Sequence, residues 1–167
     1  MDRYLKRLHE EVLAATCDMG SKDLLRHPEG KWCAAEILEH LYLTYTTTAK
    51  GFVRCLQAEK PLASAPTWRQ RLAITLVAEI GYLPVGRNSP DRVRPRGMPV
   101  ETVATEIGPQ IESMDELITE AETRFGSGVP LMDHPILGPL TAKQWRKFHW
   151  IHGRHHLKQI TRLCKGT

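Results

Sequence analysis

Apolar residues along this chain recur at intervals of three and four, the period of helices with one buried face. Between Tyr4 and Met19 the positions are Leu5, Leu8, Val12, Leu13 and Cys17, and Gly20 is placed to end the helix. After the breaker Pro28-Glu29-Gly30, a stripe of Ala34, Ile37, Leu38, Leu41, Tyr42, Tyr45 and Ala49 predicts a second helix from Cys33 to Ala58. Thr67 opens a third with Leu72, Leu76, Val77 and Ile80, ended by Leu83-Pro84 because a residue before proline disfavours helical angles. The segment Pro84 to Pro99 reads as loop. Val103, Ile107, Ile111, Met114, Leu117, Ile118 and Ala121 then predict a fourth helix from Val100 to about Phe125, with Gly108-Pro109 as the place for a kink. A proline-rich connection from Gly126 to Leu140 leads to Thr141-Ala142-Lys143-Gln144, a capping box that starts a last helix running to Lys165. No strand alternation and no internal repeat is visible. The expected architecture is all-α: a four-helix bundle with one additional short helix and Pro/Arg-rich connecting loops.

Composition narrows the picture without changing it. A chain of 167 residues with 41% hydrophobic positions fits one domain, residues 1–167, with its own core. Lys and Arg number 23 against 19 Asp and Glu, a net charge of +4 too mild and dispersed to argue for nucleic acid as a partner. Lys143, Arg146, Lys147, Arg154, Lys158, Arg162 and Lys165 spread around the last helix instead of forming one basic face. No apolar run reaches the length of a membrane span, and Met1-Asp2-Arg3-Tyr4-Leu5-Lys6 lacks the apolar stretch of a signal peptide, so a cytoplasmic location is expected. Cys17, Cys33, Cys55 and Cys164 are scattered, with no C-x-x-C pair, and read as reduced small hydrophobes. Trp32, Trp68, Trp145 and Trp150 read mainly as core.

The candidate chemistry lies in the last helix, where His149, His152, His155 and His156 are four of the chain's 8 histidines. His149, His152 and His156 share one helical stripe, with Trp145 on it as well, while His155 points away. His152 and His156 stand at i, i+4, the spacing that lets two imidazoles meet one divalent cation. His149 lies about 10 Å along the axis from His156, too far to share that ion, and reads as a pocket wall. In helical bundles the missing ligand comes from a facing helix, and His40, on the flank of the second helix, is the candidate; His9, His27 and His134 fall in a short helix or in loops. Three neutral imidazoles leave a cation with open positions, where a bound water or thiol is acidified. Glu36, one turn before His40, is the candidate general base; Glu39 reads as a solvent-facing charge. Gln159, one turn beyond His156, is placed to orient a ligand or substrate. Arg87, Arg92, Arg94 and Arg96 lie within ten residues of loop, and Arg94 and Arg96 are candidates for holding an acidic substrate or thiol. A zincin needs H-E-x-x-H and a di-iron bundle needs Glu-x-x-His, and neither motif occurs.

The string Trp32-Cys33-Ala34-Ala35-Glu36-Ile37-Leu38-Glu39-His40-Leu41 resembles the start of the second helix in the DinB/YfiT-like superfamily, and His152-x-x-x-His156-x-x-Gln159 resembles its second signature. Gly138-Pro139-Leu140-Thr141, Trp145 and Phe148-His149-Trp150-Ile151-His152 are similar to an uncharacterised DUF1569-type subfamily. The resemblance implies an up-down-down-up bundle that binds nickel or zinc through His40, His152 and His156. It also implies a hydrolase or a low-molecular-weight-thiol S-transferase, a small-molecule substrate and a homodimer. Cys33 stands where that superfamily often has a hydroxyl cap, and His156-Leu157-Lys158-Gln159 lacks its glycine. A metal-binding bundle that catalyses nothing is the competing expectation.

Overall fold

The computed structural model describes residues 1–17, 20–75 and 89–165, excluding the side chains of residues 16, 17, 21, 22, 164 and 165. Its α-helices are α1 (Arg3–Cys17), α2 (Ser21–Leu24), α3 (Ala34–Gln57), α4 (Trp68–Ile74), α5 (Val100–Phe125) and α6 (Ala142–Lys165), with one 3-10 turn at Asp91–Val93. The helices pack α3 on α5 and α1 on α6, with α3 also touching α6 and α1 touching α5. The predicted apolar stripes supply much of the core, with Leu5 and Leu8, Leu38 and Leu41, and Ile107 and Ile111 all buried, whereas Leu13 and Leu72 are exposed; Leu157 and Ile160 of α6 join the core from outside the predicted stripes. The molecule is thus mostly helical, as the periodicity implied. The predicted third helix is seen only as α4, and its remainder to Leu83 lies outside the described residues, as does Arg87. Gly108-Pro109 sits inside a continuous α5.

Two local features bring α6 close enough to form a site with α3. Gly153 follows His152 at the crossing with α1, where a Cβ would lie 2.3 Å from Leu8 Cδ1 and 3.1 Å from the Tyr45 hydroxyl. Only glycine lets the helices approach there. Buried Arg146 then ties α6 to α5 through Asp115, at 2.9 Å, Glu122 and Thr119. Arg146, one of the basic residues spread around the last helix, is therefore an interior tie and no surface charge. Trp68 also departs from expectation, being 70% exposed on α4.

The expectation of no strands fails between α5 and α6. Strands β1 (Pro130–His134) and β2 (Gly138–Thr141) pair antiparallel, with Met132 opposite Leu140 and His134 opposite Gly138. Gly138 has φ +79°, and His134 Nδ1 accepts the N–H groups of Ile136 and Leu137 across the turn. The register slips between Pro130 and Met132, so adjacent Leu131 and Met132 are both buried. That bulge and the two prolines erase the alternation by which a strand is recognised.

Candidate metal centre

His40 is nearly two turns into α3, on its buried face, and its orientation is fixed by a backbone group. Its Nδ1 lies 2.8 Å from the Val93 carbonyl oxygen. A carbonyl only accepts, so Nδ1 carries the proton and Nε2 presents a lone pair. His156 is held the same way by Gln159, whose Oε1 accepts from Nδ1 at 2.8 Å, and Gln159 in turn donates to His155 Nε2 at 3.1 Å. Between them stands His152, with Nε2 3.1 Å from His156 Nε2 and 3.4 Å from His40 Nε2.

Two of the three converging nitrogens are thus acceptors by construction. The His152 Nε2 can offer at most one proton to them, and its Nδ1 is buried without a partner among the described residues. A divalent cation satisfies all three lone pairs at once, so the donor set fits a metal; these three histidines can together hold an ion. Burial pushes the pKa of all three below the ordinary histidine value of 6.5: His152 well below, helped by His156 and His40, His156 to about 3, and His40 down against the opposing Val93 bond. The imidazoles are accordingly neutral ligands at pH 7. Phe148 stacks on His152 at 5.4 Å between ring centroids and Trp32 lies 5.3 Å from His40, so aromatic walls flank the cluster. His40 is buried, whereas His156 is half-buried.

The other predicted residues fall into three groups. His149 and Trp145 sit deeper along α6, with rings stacked at 5.7 Å, and His149 is fully buried with neither nitrogen partnered among the described residues. Burial lowers its pKa to about 3. Glu36 is not in the histidine cluster. Its carboxylate accepts the Cys33 N–H at 2.8 Å and lies 3.5 Å from His27 Nδ1, closing the N-terminus of α3. Arg94 and Arg96 have exposed side chains; Arg94 bonds the Ser89 carbonyl and pairs with Asp91.

Two residues set aside on sequence grounds prove structural to the site. Glu39 is 2% exposed, not a solvent-facing charge: its carboxylate accepts the backbone N–H groups of Arg96, Gly97 and Met98 at 2.6, 3.1 and 3.1 Å. Glu39 and His40 together therefore anchor the arginine loop onto α3, at Arg96–Met98 and at Val93. His134, in β1, packs against Phe148 at 4.3 Å and Trp145 at 5.5 Å. Its neighbours Pro135 and Gly138 were the only sequence sign of a turn there.

A family model described as "Protein of unknown function (DUF1569)" matches residues 8–163. The chain belongs to that family. Both histidine motifs fall within the matched region, so the three-histidine cluster lies in the DUF1569 domain itself. No curated protein and no solved structure shows a significant match.

Proposed function

We propose that this DUF1569 protein is a metal-dependent enzyme of the DinB/YfiT-like kind, an up-down-down-up four-helix bundle holding nickel or zinc on His40, His152 and His156. The supporting observation is the convergence of three Nε2 atoms, two of them committed as lone-pair donors by Val93 and Gln159. A cation held by three neutral imidazoles keeps its charge and open positions, and lowers the pKa of a water or thiol that joins it. The reaction is then hydrolysis, or transfer of a low-molecular-weight thiol to a small electrophilic substrate.

The chain's own groups define the rest of the reading. Gln159 sets the His156 ring, Val93 sets the His40 ring, and Phe148 and Trp32 restrict water around the ligands. Trp145 and His149 form the deep wall. Arg94 and Arg96, exposed on a loop anchored beside His40, are placed for an anionic group of the substrate. Glu39 spends its carboxylate on three backbone N–H groups and Glu36 stands at the start of α3 outside the histidine cluster, so neither serves as the general base. That last observation favours the second reading, a metal-binding bundle without catalysis. No helix of the described residues is long and apolar enough to cross a membrane, which accords with a cytoplasmic location. Exposed Trp68 and Leu72, one turn apart on α4, accord with a homodimer.

The test is turnover by protein reconstituted with zinc or nickel, on activated esters and amides and on a low-molecular-weight thiol with small electrophiles. Metal-dependent turnover that His152→Ala abolishes supports the enzyme. Bound metal with no turnover in either panel supports the second reading.

A further inference from the structure

The connection between α2 and α3 folds His27 back over the first turn of α3, where Cys33 is the N-cap and Glu36 stands three residues on. Three donors of different chemistry meet there. The Cys33 Sγ, one His27 ring nitrogen and one Glu36 oxygen lie within 4.8 Å of one another, with His27 Nδ1 3.5 Å from Glu36 Oε2. We propose that His27, Cys33 and Glu36 form a second metal site, independent of the three-histidine centre and selective for a thiophilic divalent cation such as zinc or cadmium.

The geometry needs little adjustment. Tetrahedral zinc with ordinary bond lengths sets its S, N and O donors about 3.3–3.6 Å apart. The residual closure falls on His27, whose side chain is 61% exposed and free to turn, while Cys33 and Glu36 are held by the helix start. A carboxylate has lone pairs enough to keep the Cys33 N–H and accept a metal as well. The charges also differ from the first centre. Thiolate and carboxylate together neutralise a divalent cation; burial and the adjacent Glu36 carboxylate push the Cys33 thiol pKa up, so the thiolate forms only as the cation displaces its proton. Soft sulfur selects against magnesium and calcium. Binding exchanges one S–H bond for one S–metal bond and releases one proton to solvent, with no change of oxidation state. Cys33 carries no disulfide and is available for this exchange. Seven residues of helix separate it from His40, about 10 Å along the axis, so the two ions do not share a ligand.

Cobalt(II) titration of the full chain tests this directly, because only a thiolate ligand gives the near-ultraviolet sulfur-to-cobalt charge-transfer band. The wild type is expected to show that band, and His40→Ala to retain it. Cys33→Ser is expected to lose the band while keeping the visible absorption of cobalt on the three histidines. His27→Ala alters an exposed side chain and leaves the core intact, so it tests the site even if Cys33→Ser fails to fold; it should weaken the band's apparent affinity at least about tenfold. Absence of the band in wild type at excess cobalt, its persistence in Cys33→Ser, or unchanged affinity in His27→Ala overturns the proposal. Partial loss of the visible absorption with the thiolate band retained in His40→Ala supports two independent centres.

Discussion

His149 combines full burial with two ring nitrogens that find no partner among the described residues, and its ring contacts Trp145, Phe148 and Tyr45. Burial holds its pKa at about 3, and burial with nearby Arg92 holds His134 at about 4, against an ordinary 6.5. Between those values the unfolded chain binds protons that the folded chain refuses. Stability is therefore complete above pH 6.5 and falls as the pH drops toward 4 and then 3, by about 1.4 kcal/mol per pH unit for each histidine. His149→Phe keeps the aromatic packing and removes one of these groups. Its denaturation midpoint should match or exceed the wild type at pH 7.5 and fall less steeply below pH 6; a loss above about 2 kcal/mol at pH 7.5 would mean that the nitrogens have a partner. Gln159 belongs to the same scale, since it fixes the His156 tautomer. Gln159→Leu should lower metal affinity by about 10–100-fold in calorimetric titration, with helicity unchanged, and equal affinity would contradict its role. Both histidine motifs were legible in the sequence because one helical turn separates His152 from His156. The true place of Glu36 was legible too, since Cys33-x-x-Glu36 has capping-box spacing, but its proximity to His40 along the helix pointed elsewhere.

At the scale of elements, consecutive residues of α3 do two jobs: Glu39 gathers three backbone N–H groups and His40 takes the Val93 carbonyl. Glu39→Ala leaves those donors without their acceptor. Amide exchange at Arg96, Gly97 and Met98 should accelerate, with a stability loss of about 1.5–3 kcal/mol, and unchanged exchange at those amides would refute the anchoring. Periodicity located α1, α3, α5 and α6 because each buries one stripe against its neighbours. It missed the burial of Glu39, which comes from a loop more than fifty residues away along the chain and leaves no mark on local spacing. It missed β1 and β2 as well, because a bulge and prolines interrupt their alternation. His134 was set aside with that hairpin, although the strand carries it against Phe148 beside the centre.

For the whole molecule, the bundle holds ligands from α3 and α6 in contact before any metal arrives, with the imidazoles already neutral. A cluster so prepared would take a cation without first shedding imidazolium protons or ordering a loop, and a bound ion would stabilise the folded state by mass action. The most direct test is the metal content of the full chain after zinc reconstitution and exhaustive removal of loose ions. It is best done in a Cys33→Ser background, so that only the three-histidine centre is counted. One zinc per chain, falling to none in His40→Ala and in His152→Ala while their circular dichroism stays helical, is the predicted result. Full zinc content in folded His152→Ala, or no zinc in the parent, would contradict the account.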